Sequence, residues 1–100
     1  MKKEINLDSF APIISSKESG ERIYNLIKEA NPLENEITIN MENIRSMATY
    51  CAKQIFGRLY VELSPNIFGN NIIIKGASEN VRLIIQLGIR FALENEPRYS

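Results

Sequence analysis

Strand-like and helix-like runs alternate along this chain in the order β-β-α-β-α-β-α, and that order limits the fold more than any other feature. Such alternation implies a mainly parallel or mixed sheet with helices packed on it, because the connection between parallel neighbours is a helical crossover, right-handed by strand twist. "KEINL" reads as a first strand with Ile5 and Leu7 on one side. "APIIS" reads as a second strand, with Pro12 marking an edge or a strand start. "SKESGERIYNLIKEA" has Ile23, Leu26, Ile27 and Ala30 at helical spacing, and Ser15 with Glu18 makes a capping-box pattern at its start. Gly20 in the first turns costs roughly 1 kcal/mol against alanine, so its presence points to a close backbone approach or a later helix start.

After the turn "NPLENE", "EITINMENI" is the clearest strand, with Ile37, Ile39 and Met41 on one face. A second long helix is expected from about Ser46–Thr49 to Leu63, with Ala52, Ile55, Phe56, Leu59 and Leu63 as its buried stripe. "SPNIFGNN" reads as a loop. "NIIIKG" reads as a fully apolar strand of the kind found in the middle of a sheet. Ser78 is placed to cap the last helix, whose core stripe is Val81, Ile84, Ile85, Gly88, Ile89 and Ala92. A second apolar set, Leu83, Leu87 and Phe91, runs beside it. Deeper burial would explain that set, and so would a docking or dimer surface. The tail "NEPRYS" is expected to fray.

One hundred residues suit a single domain with a modest core, expected over residues 1–100 with an ordered part of about 5–95. Twelve basic residues balance twelve acidic ones, which leaves no field to draw nucleic acid or an anionic membrane. There is no histidine, which removes the commonest general base and metal ligand, and a single cysteine rules out an internal disulfide. No metal or other cofactor is expected. "MKKEINLDSF" has no apolar core of a secretory signal, and no apolar run approaches the ~20 residues of a membrane span. A cytoplasmic protein is expected, and the richness in Ile, Asn, Lys and Glu points to an AT-rich bacterial or phage genome.

The corner from Ser46 to Cys51 is the leading candidate site. Ligands of open α/β sheets gather at strand carboxyl ends, and a helix start offers free N–H groups to an anion. Plain capping by Ser46 or Thr49 explains the same residues. Cys51 in the first turn is either an activated thiol or core filler, and no base stands ready for it. "SSKESGER" lacks the spacing of a P-loop and reads as a cap. The scattered carboxylates Glu18, Glu21, Glu34, Glu36 and Glu42 read as a solvated surface. No residue set supplies nucleophile, base and electrophile together, so an enzyme is not expected.

The runs "SSKESGERIYNLIKEA", "ITINMENIRSMATYCAKQIFGRL" and "NIIIKGASENVRLIIQLGIRFALEN" resemble the STAS-like domain family of unknown function, akin to the wider STAS fold of sulfate transporters and anti-sigma-factor antagonists. The resemblance spans roughly Ile5 to Asn95 and rests on the whole pattern, with Phe-Gly-Arg-Leu in the second helix, rather than on one motif. It implies a small sheet with helices mostly on one side, and a regulatory binding module that is not an enzyme. In the antagonists, a hydroxyl at this helix start is phosphorylated by a partner ATPase of histidine-kinase type, and the partner is released. Carried over, that position is Thr49, with Ser46 as the nearby substitute. The acidic residue before the hydroxyl and the glycine after it are Ala48 and Cys51 here, with Tyr50 between them. The acidic residue of the preceding strand is Asn40, and Lys17 replaces the usual arginine. The resemblance thus implies a protein partner, with Ala48, Tyr50, Cys51 and Lys53 at the corner as candidate contacts. The apolar set Leu83, Leu87 and Phe91, read from its own spacing, is a further candidate contact, with a dimer as one form of it. A small-ligand sensor for a nucleotide or lipid is the alternative.

Overall fold

The computed structural model describes residues 1–95; of the tail expected to fray, residues 96–100 lie outside the described residues. Three parallel strands form the main sheet, in the order β1 (Lys2–Asn6), β3 (Glu36–Asn40), β5 (Ile72–Lys75). A second, two-residue ladder pairs β2 (Ile13–Ile14) with β4 (Ser46–Met47), also in parallel. Helix α1 (Lys17–Glu29) connects β2 to β3. After β4, α2 (Thr49–Ala52) runs through a π-helical stretch (Lys53–Gly57) into α3 (Arg58–Leu63). Helix α4 (Pro65–Asn71) then leads to β5, and α5 (Glu79–Asn95) ends the described chain. The molecule is thus a small α/β domain with a parallel sheet and packed helices, as the alternation of runs predicts.

The sheet shows why only one of its faces carries helices. The register sets Ile5 beside Ile39 and Ile74, and Ile37 beside Ile72, so these side chains share one face. Ile37 and Ile39 are fully buried there, in one core with Ile23 and Ile27 of α1, Ile55, Phe56 and Leu59 of the long helix, and Val81 and Ile85 of α5. The opposite face presents Glu4, Asn6, Thr38, Asn40 and Lys75, polar residues that water satisfies, with Ile73 as a lone apolar side chain among them, so no helix needs to cover it.

Several expectations change. Ser46 belongs to β4, because its backbone N–H turns to Pro12 C=O and Ala48 N–H to Ile14 C=O. The helix therefore opens at Thr49, with Ala48 at its cap and no side-chain cap bond. The cap of α1 is Ser16, whose Oγ accepts from Ser19 N–H at 3.0 Å, so the box drawn from Ser15 to Glu18 does not form. "SPNIFGNN" is not a loop: Pro65 is pre-set for a first helical turn, Ser64 Oγ accepts from Ile67 N–H, and α4 results. β5 is an edge strand rather than a central one. Its outer edge is partly occupied by Arg82, which donates to Ile74 C=O at 3.2 Å and to Ala77 C=O at 3.3 Å. On the inner face of α1, Tyr24 is buried where Leu26 was expected, and Leu26 is 42% exposed.

Other expectations hold. All five stripe residues of the long helix, Ala52, Ile55, Phe56, Leu59 and Leu63, are buried. Ser78 caps α5 through Val81 N–H at 3.1 Å. The helices α5 and α2–π–α3 cross closely because two glycines meet. A Cβ on Gly88 would lie 2.6 Å from the Ala52 carbonyl carbon and Lys53 N, and one on Gly57 would lie 2.7 Å from Gly88 O and Ala92 Cβ. The glycine of "FGRL" is thus explained by helix packing.

Candidate functional site

Two surfaces emerge at the corner and on α5. At the corner, Thr49 is the first helical residue and is half-buried, and its hydroxyl has no hydrogen-bond partner among the described residues. Cys51 and Ala52 N–H groups turn to Ala48 C=O, while Thr49 and Tyr50 N–H groups lie ahead of the first helical bonds. A group carried on Thr49 Oγ1 would find those donors beside it. Ser46, paired in β4, is not at the helix start. Neither hydroxyl caps the helix, so plain capping no longer accounts for either residue.

The other corner candidates separate. Tyr50 is 54% exposed, and its hydroxyl donates to Ser15 C=O, which ties the corner to the start of α1. Cys51 is fully buried, with its thiol against Ser16 C=O at 3.4 Å, and burial pushes that thiol above its ordinary pKa. It offers no surface to a partner and no thiolate to chemistry, so among the expected contact residues it is corrected to core. Ala48 and Lys53 are half-buried at the same corner.

Beside the corner, a cleft of about 770 Å³ lies between the first turns of α1 and the long helix. Gln54 forms its floor on the α1 side: its Nε2 donates to Lys17 C=O at 2.9 Å, and its Oε1 presses on Gly20. The close approach expected at Gly20 is therefore to a side chain. A network closes the other end. The Tyr24 hydroxyl donates to Glu62 at 2.5 Å, and Arg58 lies over the Tyr24 ring at 3.8 Å. Arg58 also reaches Glu21 and Glu62 at 3.5 Å each, and Lys28 reaches Glu62 at 3.4 Å. Burial raises the Tyr24 phenol first, and the Glu62 hydrogen bond adds to it, which pushes it up to about 12. Burial works to raise the Glu62 carboxyl, but the Tyr24 hydroxyl, Lys28 and Arg58 outweigh it and hold the carboxyl below its ordinary range. The arginine of "FGRL" is thus a clamp between α1 and α3.

On α5, the inward stripe is used up by the core, while Leu83 is 54%, Leu87 37% and Phe91 38% exposed. They lie four residues apart on the outer side of the helix. Deeper burial does not explain them. The chain's pattern of residues made the corner and the α5 set visible in advance. The cleft has no signature in the sequence beyond the lysine at the start of α1, because it forms only where distant segments meet.

Among the described residues, no helix is long and apolar enough to cross a membrane, and no group of His, Cys, Asp and Glu is placed to hold a metal. A family model described as a STAS-like domain of unknown function matches residues 19–82. No curated protein and no solved structure matches the chain.

Proposed function

As the chain belongs to the STAS-like domain family of unknown function, we propose that it acts as a non-enzymatic regulatory domain that binds a protein partner. The observation that carries this reading is the outward stripe of Leu83, Leu87 and Phe91 on a helix whose inward stripe already fills the core. Exposed apolar sets of this kind are covered by partners. The corner at Ala48, Tyr50 and Lys53 is the second contact. It works in a cytoplasmic setting, as its single buried cysteine allows.

Control falls to Thr49. An ATPase of histidine-kinase type transfers the γ-phosphoryl group of ATP to Thr49 Oγ1, ADP leaves, and the hydroxyl proton passes to solvent. The product carries about −1.5 to −2 charges at a helix start. Ser46 is the weaker candidate, since β4 holds it away from the helix start.

A pull-down from the native host with mass-spectrometric readout tests both parts. An ATPase held by wild type and Thr49→Ala, and lost by Thr49→Glu and Leu87→Asp, supports the reading. A protein retained equally by all four overturns it. A second reading, a sensor for a nucleotide or lipid, is favoured only by the cleft. A thermal-shift panel separates it: a ligand at 100 times its Kd adds about 2.7 kcal/mol.

A further inference from the structure

The charges lining the cleft do not balance within the fold. Five charged side chains line it: Lys17, Glu21, Lys53, Arg58 and Glu62. Arg58, shared between Glu21 and Glu62, and Lys28, reaching Glu62 from outside the cleft, together balance those two carboxylates. Lys17 and Lys53 have no carboxylate partner among the described residues. Lys17 is also the first residue of α1, at the positive end of the helix dipole, where a cation is disfavoured. Glu21, one turn on, would be its natural mate but is taken by Arg58 and Gln54. Lys53 has Thr49 and Gly57 one turn to either side, so its helix offers no carboxylate there. Lys17 thus opposes the helix dipole without any gain inside the fold, and Lys53 beside it is a second cation with no carboxylate to answer it, so the cleft keeps two positive charges for a partner. The apolar surface beside them comes from Tyr50, Val61 and Ala92.

We propose that this cleft seats an acidic segment of the partner protein, with carboxylates at Lys17 and Lys53 and an apolar side chain against Tyr50, Val61 and Ala92. This rests on the protein-binding reading above and names the chemistry of the partner. The cleft is open to solvent, whereas small-molecule sites bury 70–90% of their ligand; a segment carried on a larger surface suits it better. The assignment also explains how a phosphate on Thr49 releases the partner. Lys53 N–H donates to Thr49 C=O, one turn apart, so a phosphate on Thr49 lies beside the Lys53 ammonium. It takes up that cation and repels incoming carboxylates.

Panning a random peptide display library on the immobilised chain tests this, followed by affinities of the enriched peptides measured by fluorescence anisotropy. Enriched peptides are expected to be acidic with one large apolar residue. Binding is expected to fall about tenfold or more in Lys17→Glu/Lys53→Glu, and to weaken as salt shortens the Debye length. The charge-matched variant Lys3→Glu/Lys75→Glu, which alters lysines outside the cleft, is expected to bind as wild type does. Thermal melts of both variants check that each one folds. Neutral or basic peptides, an equal loss in both variants, or no enrichment at all overturn the cleft assignment. The wider partner reading fails separately, when Leu87→Asp and Thr49→Glu leave the pull-down unchanged.

Discussion

Lys17 shows what one residue contributes and what it costs. It opens a thirteen-residue helix at the end where a cation opposes the dipole, and its ammonium is not paired. Lys17→Glu replaces an unfavourable charge with a favourable one, which is worth about 0.5 kcal/mol. For a domain of this size, that raises Tm by about 2–4 °C. A thermal melt checks it, and a lowered Tm would show that Lys17 has a stabilising role inside the fold. Greater stability together with weaker peptide binding is the pairing expected of a residue kept for recognition. The sequence places Lys17 at a helix start, but it does not show that Arg58 takes Glu21 away from it. That contact joins α1 to α3 and has no local signal.

At the scale of elements, the crossing of α5 over the long helix depends on glycine. In an open helix, Gly→Ala gains about 1 kcal/mol of propensity. At Gly88 the new Cβ would lie 2.6 Å from backbone of the facing helix, so the gain is lost to overpacking of about 1–3 kcal/mol. Gly88→Ala is therefore expected to lower stability in urea unfolding, and a gain would mean that the helices sit further apart. Ser64, between α3 and α4, has φ 81° and ψ 155°, a region that essentially only glycine enjoys. Its cap bond to Ile67 N–H is long, at 3.5 Å, and glycine replaces a cap residue at a loss of a few tenths of a kcal/mol. Ser64→Gly is expected to be stabilising by about 1 kcal/mol, read from the same unfolding curves. Elements with a sustained apolar period, such as β3 and the long helix, are legible in the chain. α4 was hidden because Pro65, Gly69 and the asparagines give turn signals, and β4 because a two-residue strand exists only through its partner, β2.

For the whole molecule, α1 and the long helix are joined by a titrating pair. Tyr24 is raised from 10.0 to about 12, so the stability it contributes is complete below pH 10 and is lost as pH climbs towards 12. Glu62 is lowered, so its contribution is present above the ordinary carboxylate range and is lost as acid protonates it. Tyr24→Phe is expected to remove the alkaline component, so that the Tm gap between wild type and variant narrows from pH 9 to pH 12. A constant gap would place the value of Tyr24 in packing alone. The architecture was legible because its alternation of elements is a property of the whole chain. The place of β5 was not: its isoleucines fit a central strand, and only the pairing shows that β3 is central and that Ile73 points to the uncovered face.

The π-helical stretch sets a phase for everything after it. Cys51, Ile55, Leu59 and Leu63 are all buried at steps of four residues. In plain α geometry, each such step drifts by about 40°, or roughly a third of a turn over the series. The wider turns from Lys53 to Gly57 take up that drift and keep the series in line. A chain one residue shorter within this stretch would close it into plain α-helix, where the seven steps from Cys51 to Leu59 turn about 700°, roughly 20° short of two full turns, so Leu59 and Leu63 would still face the core and Arg58 would still face Tyr24. The π stretch therefore holds one residue more than an α-helical path needs, and it is the point on this helix where a change of length leaves the buried stripe in phase.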